Sequence, residues 1–151
     1  MLDDPRITAI GLFSEAHAGL MTRLTAQLAT HNLDGVEFET LIRLARSPGG
    51  ALRMSDLAGQ TGLSTSGMTR VVDRLERDGL VERQACPTDR RGSFTAITAA
   101  GRARLGDVLP GHLALLDTWF TGLLTEGQLR DFLGSLRLVR DTVRPEAVSG
   151  A

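Results

Sequence analysis

The sequence predicts a mainly α-helical protein that carries one small β-hairpin. Three observations lead there. Apolar residues recur at steps of three and four along most of the 151 residues, the period of a helix with one buried face. Residues that favour helix starts (Asp34, Ser55, Ser64, Thr98 and Thr125) stand at the head of such stretches. Only two short segments, Leu80–Ala85 and Ser93–Thr98, read as strands, and turn-forming residues separate them.

Taken in order, residues 5–31 carry Phe13, His17, Leu20, Leu24 and Leu28 on one stripe and predict a first helix. Asp34 stands three residues before Glu37, a capping-box pattern, and opens a second helix with Val36, Leu41, Ile42 and Leu44. Ser47-Pro48-Gly49-Gly50 stops it. Ala51–Met54 reads as a short extended piece. Ser55 is placed to cap a short third helix holding Leu57 and Ala58, and Gly62-Leu63 turns the chain. Ser64 is placed to cap a fourth helix that runs to about Asp78 and ends at Gly79. After the hairpin, Thr98 heads a long helix with Leu105, Val108, Leu109, Leu116, Trp119, Phe120 and Leu123, kinked at Pro110-Gly111. Thr125 and Gln128 form a second capping box for a last helix, whose stripe is Leu129, Phe132, Leu133, Leu136, Val139 and Val143. Pro145–Ala151 reads as a frayed tail.

A short helix, a tight turn and a second helix make a helix-turn-helix, and a hairpin directly after it makes a wing. The order of elements therefore predicts a winged helix-turn-helix. The terminal helices are too apolar to stand alone. They are expected to bury their stripes against each other and against a second copy.

Composition narrows the classes. With 42% apolar and 23% charged residues the chain is globular, and its one cysteine makes no internal disulfide. No apolar run approaches the ~20 residues of a membrane helix. The acidic start Met1-Leu2-Asp3-Asp4-Pro5 does not resemble a secretory leader, so a cytoplasmic location away from membranes is expected. An enzyme would need a convergent nucleophile, base or metal set, and the common catalytic motifs are absent. His17, His31 and His112 are far apart, without metal-ligand spacing. Neither a metal nor another cofactor is expected. Cys86, at the mouth of the wing, reads as a packing residue. Arg83, Arg90 and Arg91 nearby are the features that would activate it as a redox sensor.

Charge distribution says more than net charge, which is −1. Arg43–Arg104 carries a net +5 and the rest of the chain −6. A basic middle between acidic ends suits a lobe that faces DNA. The fourth helix sharpens this. Met68, Val71, Val72 and Leu75 lie on its core side, while Ser64, Thr65, Ser66, Thr69, Arg70 and Arg74 lie on the other or at its start. Small hydroxyls let a backbone approach DNA closely, the helix N-terminus favours a phosphate, and Arg70 and Arg74 have the reach for guanine edges or phosphates. An ordinary solvated face is the alternative, supported by Asp73, Glu76 and Asp78 and by a possible Asp73–Arg77 pair. At the hairpin tip, Asp89-Arg90-Arg91-Gly92 presents two guanidiniums suited to a narrow minor groove, with Asp89 placed to orient a neighbouring Arg. A winged module used only for protein contacts would favour exposed aromatic anchors over these arginines.

The stretch Met54–Thr98 resembles the winged helix-turn-helix of MarR-type (multiple antibiotic resistance) regulators. The matching residues are Leu57-Ala58, Leu63-Ser64, Met68-Thr69-Arg70, Val72-Asp73-Arg74-Leu75-Glu76, Asp78-Gly79-Leu80-Val81 and Arg83. Asp89, Arg91, Ile97 and Thr98 match the wing signature, with Gly101 following, and the flanking helices match the family's layout. Thr95 departs from the pattern, standing where the family usually has an apolar residue, with Phe94 beside it.

The resemblance implies one domain over residues 1–151, with a DNA-binding lobe at about 34–98 and dimerisation helices at about 5–33 and 99–144. It implies a homodimeric repressor that binds a pseudo-palindromic double-stranded operator. Helix 64–78 would enter the major groove and wing 86–92 the minor groove. It further implies release by a small aromatic effector held between the dimerisation helices and the lobe. His17, Met21, His112 and Trp119 lie on the appropriate helices for that effector, although each also fits a core role.

Overall fold

The computed structural model describes residues 3–85 and 93–148. Helix α1 (Pro5–Ala29) leads to α2 (Gly35–Arg46), a short 3-10 turn and strand β1 (Ala51–Arg53). Helices α3 (Met54–Thr61) and α4 (Thr65–Arg77) follow, then β2 (Val81–Ala85) and β3 (Ser93–Ile97). The chain ends with α5 (Ala99–Trp119), α6 (Glu126–Val143) and a 3-10 turn over Pro145–Val148. The strands form one antiparallel sheet in the order β1-β3-β2, with Leu52 and Arg83 both facing Thr95 across the ladders.

Local chemistry explains most helix starts. Asp34 accepts from the Glu37 backbone N–H at 2.8 Å, and the Glu37 carboxylate accepts from Asp34 N–H at 2.9 Å, a reciprocal cap. Thr125 and Gln128 do the same for α6. Ser64 caps α4 through Gly67 N–H, and Thr98 caps α5 through Gly101 N–H. The Thr98 hydroxyl also donates to the Gly79 carbonyl at 2.7 Å, tying the start of α5 to the end of the helix-turn-helix. Gly62 ends α3 at φ +74°, a left-handed conformation open to glycine at little cost.

The core lies inside the winged lobe and its junction with α5. Leu41, Leu44, Leu57, Met68, Val72 and Val108 have no exposed surface. Gly101 packs so closely that a Cβ there would collide with the Leu80 carbonyl oxygen and stand 2.7 Å from Ile97 Cγ1. Arg83 on β2 pairs with both Asp73 and Glu76 of α4, which fixes the strand against that helix.

The terminal helices are different. Helix α1 buries only Leu24 and Leu28, and α6 buries no residue at all. Every exposed large apolar side chain among the described residues belongs to α1, α5, α6 or the α5–α6 turn, with Ile7, Phe13, Leu138 and Val143 among them. No helix among the described residues is long and apolar enough to cross a membrane.

Four expectations are corrected. Ser55 caps nothing: α3 begins one residue earlier, directly from β1, with Arg53 at its N-cap and Ser55 inside the first turn. Asp73 pairs with Arg83 rather than Arg77, because the returning strand brings Arg83 closer than the helix's own next turn. Helix α5 stops at Trp119. Phe120 leaves helical geometry at φ −145°, and Leu123 lies in a 3-10 turn. The tail is not frayed at its start: Arg144 donates to the Gln60 carbonyl at 3.1 Å and Ala147 is buried, so Pro145–Val148 docks against α3. The chain stays helical through Pro110-Gly111.

Candidate nucleic-acid interface

The exposed surface of α4 is built by one physical constraint. Met68, Val71, Val72 and Leu75 are committed to the core, so the remaining helical positions must face outward. Ser64, Thr65, Ser66 and Arg70 are exposed, and Thr69 is half-buried. The first turn holds no acidic residue, which leaves the positive end of the helix dipole uncompensated. Ser64 Oγ lies 3.2 Å from Ser66 Oγ, and the Thr69 hydroxyl donates to the Thr65 carbonyl at 2.8 Å. Ser64 takes the Gly67 N–H, and these short side chains fold back onto the helix without bonding the N–H groups of Thr65 and Ser66. Arg70 makes no ion pair among the described residues, so its guanidinium is available to an external acceptor.

Arg74 has a different environment. Its Nη2 donates to Asp34 Oδ2 at 2.9 Å and its Nε to Glu37 Oε1 at 2.7 Å. The hydrogen bond that Arg74 donates to Glu37, ahead of the two carboxylate charges, holds the guanidinium even more firmly protonated than usual. Arg83 is held in the same way, first by Asp73. Sequence reading paired neither Arg74 nor Arg83 with these acids, and it missed Glu37 as anything beyond a capping residue. The usable signal was that a capping box of two carboxylates leaves two oxygens unsatisfied.

Arg53 ends β1 with its guanidinium 5.2 Å from the centre of the Phe94 ring. The wing residues Asp89, Arg90 and Arg91, and Cys86 beside them, lie outside the described residues. Thr95 is fully buried, and its hydroxyl finds no partner among the described residues.

The four candidate effector residues are not brought together. His112 is buried at the junction of three helices, with Nδ1 3.3 Å from Gln27 Oε1 and its ring 4.5 Å from that of Phe38. Burial lowers its pKa below the ordinary 6.5. His17 is exposed and stacks on Phe13 at 6.4 Å, and Met21 is exposed nearby. Of the four, Trp119 lines a cleft of about 670 Å³ between α1 and the α5–α6 junction, and the other three do not line it. Its other walls include Leu20, Phe120, Leu123 and Phe132, and Arg23 stands 4.4 Å from the centre of the Trp119 ring. Among the described residues no three His, Cys, Asp or Glu side chains are grouped closely enough to hold a metal ion.

Comparison with known proteins gives a consistent answer. Residues 31–92 match the MarR family. The chain is 31% identical to the HTH-type transcriptional regulator MhqR of Bacillus subtilis, over 76% of this chain and 78% of that protein. It is 30% identical to the transcriptional repressor MprA of Escherichia coli over 71% of this chain, and spans 61% of that protein's length. The crystal structure of AbsC, a MarR family regulator from Streptomyces coelicolor, superposes with a TM-score of 0.88 at 31% identity, covering 96% of this chain and 98% of that one. Sco3205, a MarR family regulator from the same organism solved in complex with DNA, gives 0.84 at 31% identity, with 95% and 91% covered. The fold of this chain thus recurs over nearly its full length, at 31% identity, in solved MarR family regulators, and this protein belongs to the MarR family of winged helix-turn-helix, DNA-binding transcriptional regulators.

Proposed function

We propose that this protein is a homodimeric repressor that binds a pseudo-palindromic operator, with α4 in the major groove and the wing in the minor groove. One observation carries the reading: α4 presents Ser64, Thr65, Ser66, Thr69 and Arg70, which has no ion pair among the described residues, from a helix start free of acidic residues. The DNA complex of a relative at 31% identity supports DNA binding. The wing contribution, through Arg90 and Arg91 with Asp89 orienting them, rests on the sequence alone. Repression is favoured by the similarity to MprA, named as a repressor. We assign the DNA-binding lobe to residues 34–98 and dimerisation to 5–33 and 99–144, in a protein that works in the cytoplasm.

Dimerisation is supported by the location of the exposed apolar side chains, which avoid the lobe and concentrate on the terminal helices. A dimer has two recognition helices, so its operator has two half-sites about 10 base pairs apart, centre to centre. Selection of duplexes from a random library, followed by footprinting, tests the reading. Arg70→Ala should lower discrimination at one base pair in each half-site by about 1–3 kcal/mol. Arg91→Ala should weaken all operators alike and reduce the salt slope by about 1 per protomer. Recovery of a single unrepeated half-site, or wild-type binding by both variants, would refute the docking.

An aromatic effector is the second part of the proposal, and the cleft beside Trp119 supports it, although it lies among the terminal helices rather than between them and the lobe as expected from the sequence. Its volume is within the roughly 300–1,000 Å³ of small-molecule sites, three aromatic rings line it, and Arg23 supplies a cation beside the carboxylates of Glu15 and Asp131. Trp119 is the sole tryptophan, so its fluorescence reports occupancy. Quenching by a simple aromatic acid such as benzoate, together with release of operator DNA, is the expected result. An unchanged emission spectrum across a panel of aromatic acids and phenols would remove this part.

A further inference from the structure

We infer that Arg74 is a positioning residue: it locks the recognition helix α4 to the capping box of α2 and thereby sets how α4 is presented, without itself contacting the operator. The inference rests on the DNA-binding reading above and deepens it.

The geometry is specific. Asp34 Oδ1 and Glu37 Oε2 are already committed to capping α2. Each carboxylate then has one oxygen left, and these two atoms, Asp34 Oδ2 and Glu37 Oε1, are the ones that Arg74 takes. Its Nε and Nη2 lie on one edge of the guanidinium, so a single planar group spans both acids in a fork that lysine cannot reproduce. The Glu37 side chain is only 12% exposed, against 43% for Arg74 and 52% for Asp34. A carboxylate withdrawn that far from water needs a cation, and Arg74 is its cation among the described residues.

Position along the helix points the same way. Arg74 lies nine residues after Thr65, roughly 13 Å along the axis from the end proposed to approach the groove. Arg70, one turn nearer that end, has no such partners among the described residues. The contacts also join segments 37 and 40 residues apart, so they fix the angle between α2 and α4 rather than local helix structure.

The test uses the full-length protein and a duplex selected from a random library by the wild type, with binding read by fluorescence anisotropy at two salt concentrations. Glu37→Gln is the decisive variant. Its amide can still serve the cap but cannot accept at both ends, and the change removes a negative charge. If Arg74 positions α4, Glu37→Gln weakens specific binding about tenfold despite that charge change. Arg74→Ala weakens it by a similar factor, the double variant loses no more than either single one, and the salt slope stays at the wild-type value. Arg74→Lys keeps the charge without the fork and does not rescue binding. It also serves as the second variant if the alanine protein is poorly folded by circular dichroism. Three results would overturn the inference: a salt slope reduced by about 1 per protomer in Arg74→Ala, rescue by lysine, or Glu37→Gln binding at or above wild type. Those results would make Arg74 a phosphate contact and leave the DNA-binding reading standing. Failure of the wild type to select any duplex would overturn that reading and this inference together.

Discussion

Replacing Thr95 by valine removes one oxygen from the middle strand of the sheet and leaves the branching of the side chain unchanged. Thr95 is 0% exposed, and its hydroxyl has no hydrogen-bond partner among the described residues. In the unfolded chain that hydroxyl is solvated by water, so folding desolvates it without return. A buried polar group left unpaired costs roughly 1–3 kcal/mol, and valine avoids this while adding apolar contact at a β-favourable position. Taking the lower end, Thr95→Val should stabilise the protein by about 1 kcal/mol, equivalent to roughly 2–4 °C in Tm for a chain of this size. Urea unfolding at fixed protein concentration is the assay, since the stability of a dimer depends on concentration. The midpoint should rise with an unchanged m-value. Equal or lower stability would mean that the hydroxyl is satisfied in the folded protein, and the energetic argument would fail. Thr40, also fully buried and with a hydroxyl unpaired among the described residues, is an independent repeat of the test in α2.

Three further outcomes follow from packing and burial. Gly101→Ala should destabilise by about 2 kcal/mol or more, because the new Cβ meets the rigid Leu80 carbonyl; thermal unfolding at the wild-type temperature would contradict it. Light scattering should give twice the 16.2 kDa protomer mass for the wild type and a shift toward the protomer for Leu138→Glu, which puts a charge on a side chain 74% exposed in the isolated chain; a wild-type monomer at micromolar concentration would refute the dimer. His112 has a folded-state pKa below 6.5, so as pH falls through that value the unfolded chain takes up the proton first. Its contribution to stability is therefore present above about pH 6.5 and is lost as pH falls through the lower, folded pKa; urea midpoints across this range should show the loss in the wild type and less of it in His112→Gln.

Much of this fold was legible because its signals are local. The caps by Asp34, Ser64, Thr98 and Thr125 each join residues three apart, and the core stripe of α4 follows from helical spacing alone. Where a local signal was misread, a longer-range contact competed with it. Ser55 looked like a cap, but β1 pairs with β3 and delivers the chain straight into α3. The tail looked solvated, but Arg144 and Ala147 reach α3 some 80 residues earlier in the chain. The effector candidates were chosen by helix, yet the sequence holds no information on which side of the α1–α5 packing each one falls.

By itself, the sequence determined the order of helices and strands, the basic middle of the chain, and the outward row of hydroxyls and arginines on α4. Periodicity, capping chemistry and charge act over a few residues and need no knowledge of the fold. The tertiary structure alone decided which of those arginines remains free. Arg70 and Arg74 are one helical turn apart and equivalent in spacing, but the packing of α4 on α2 brings two spare carboxylate oxygens to Arg74 and, among the described residues, none to Arg70. Charge pairing depends on distance in space, and across 37 residues of chain only the folded arrangement sets that distance.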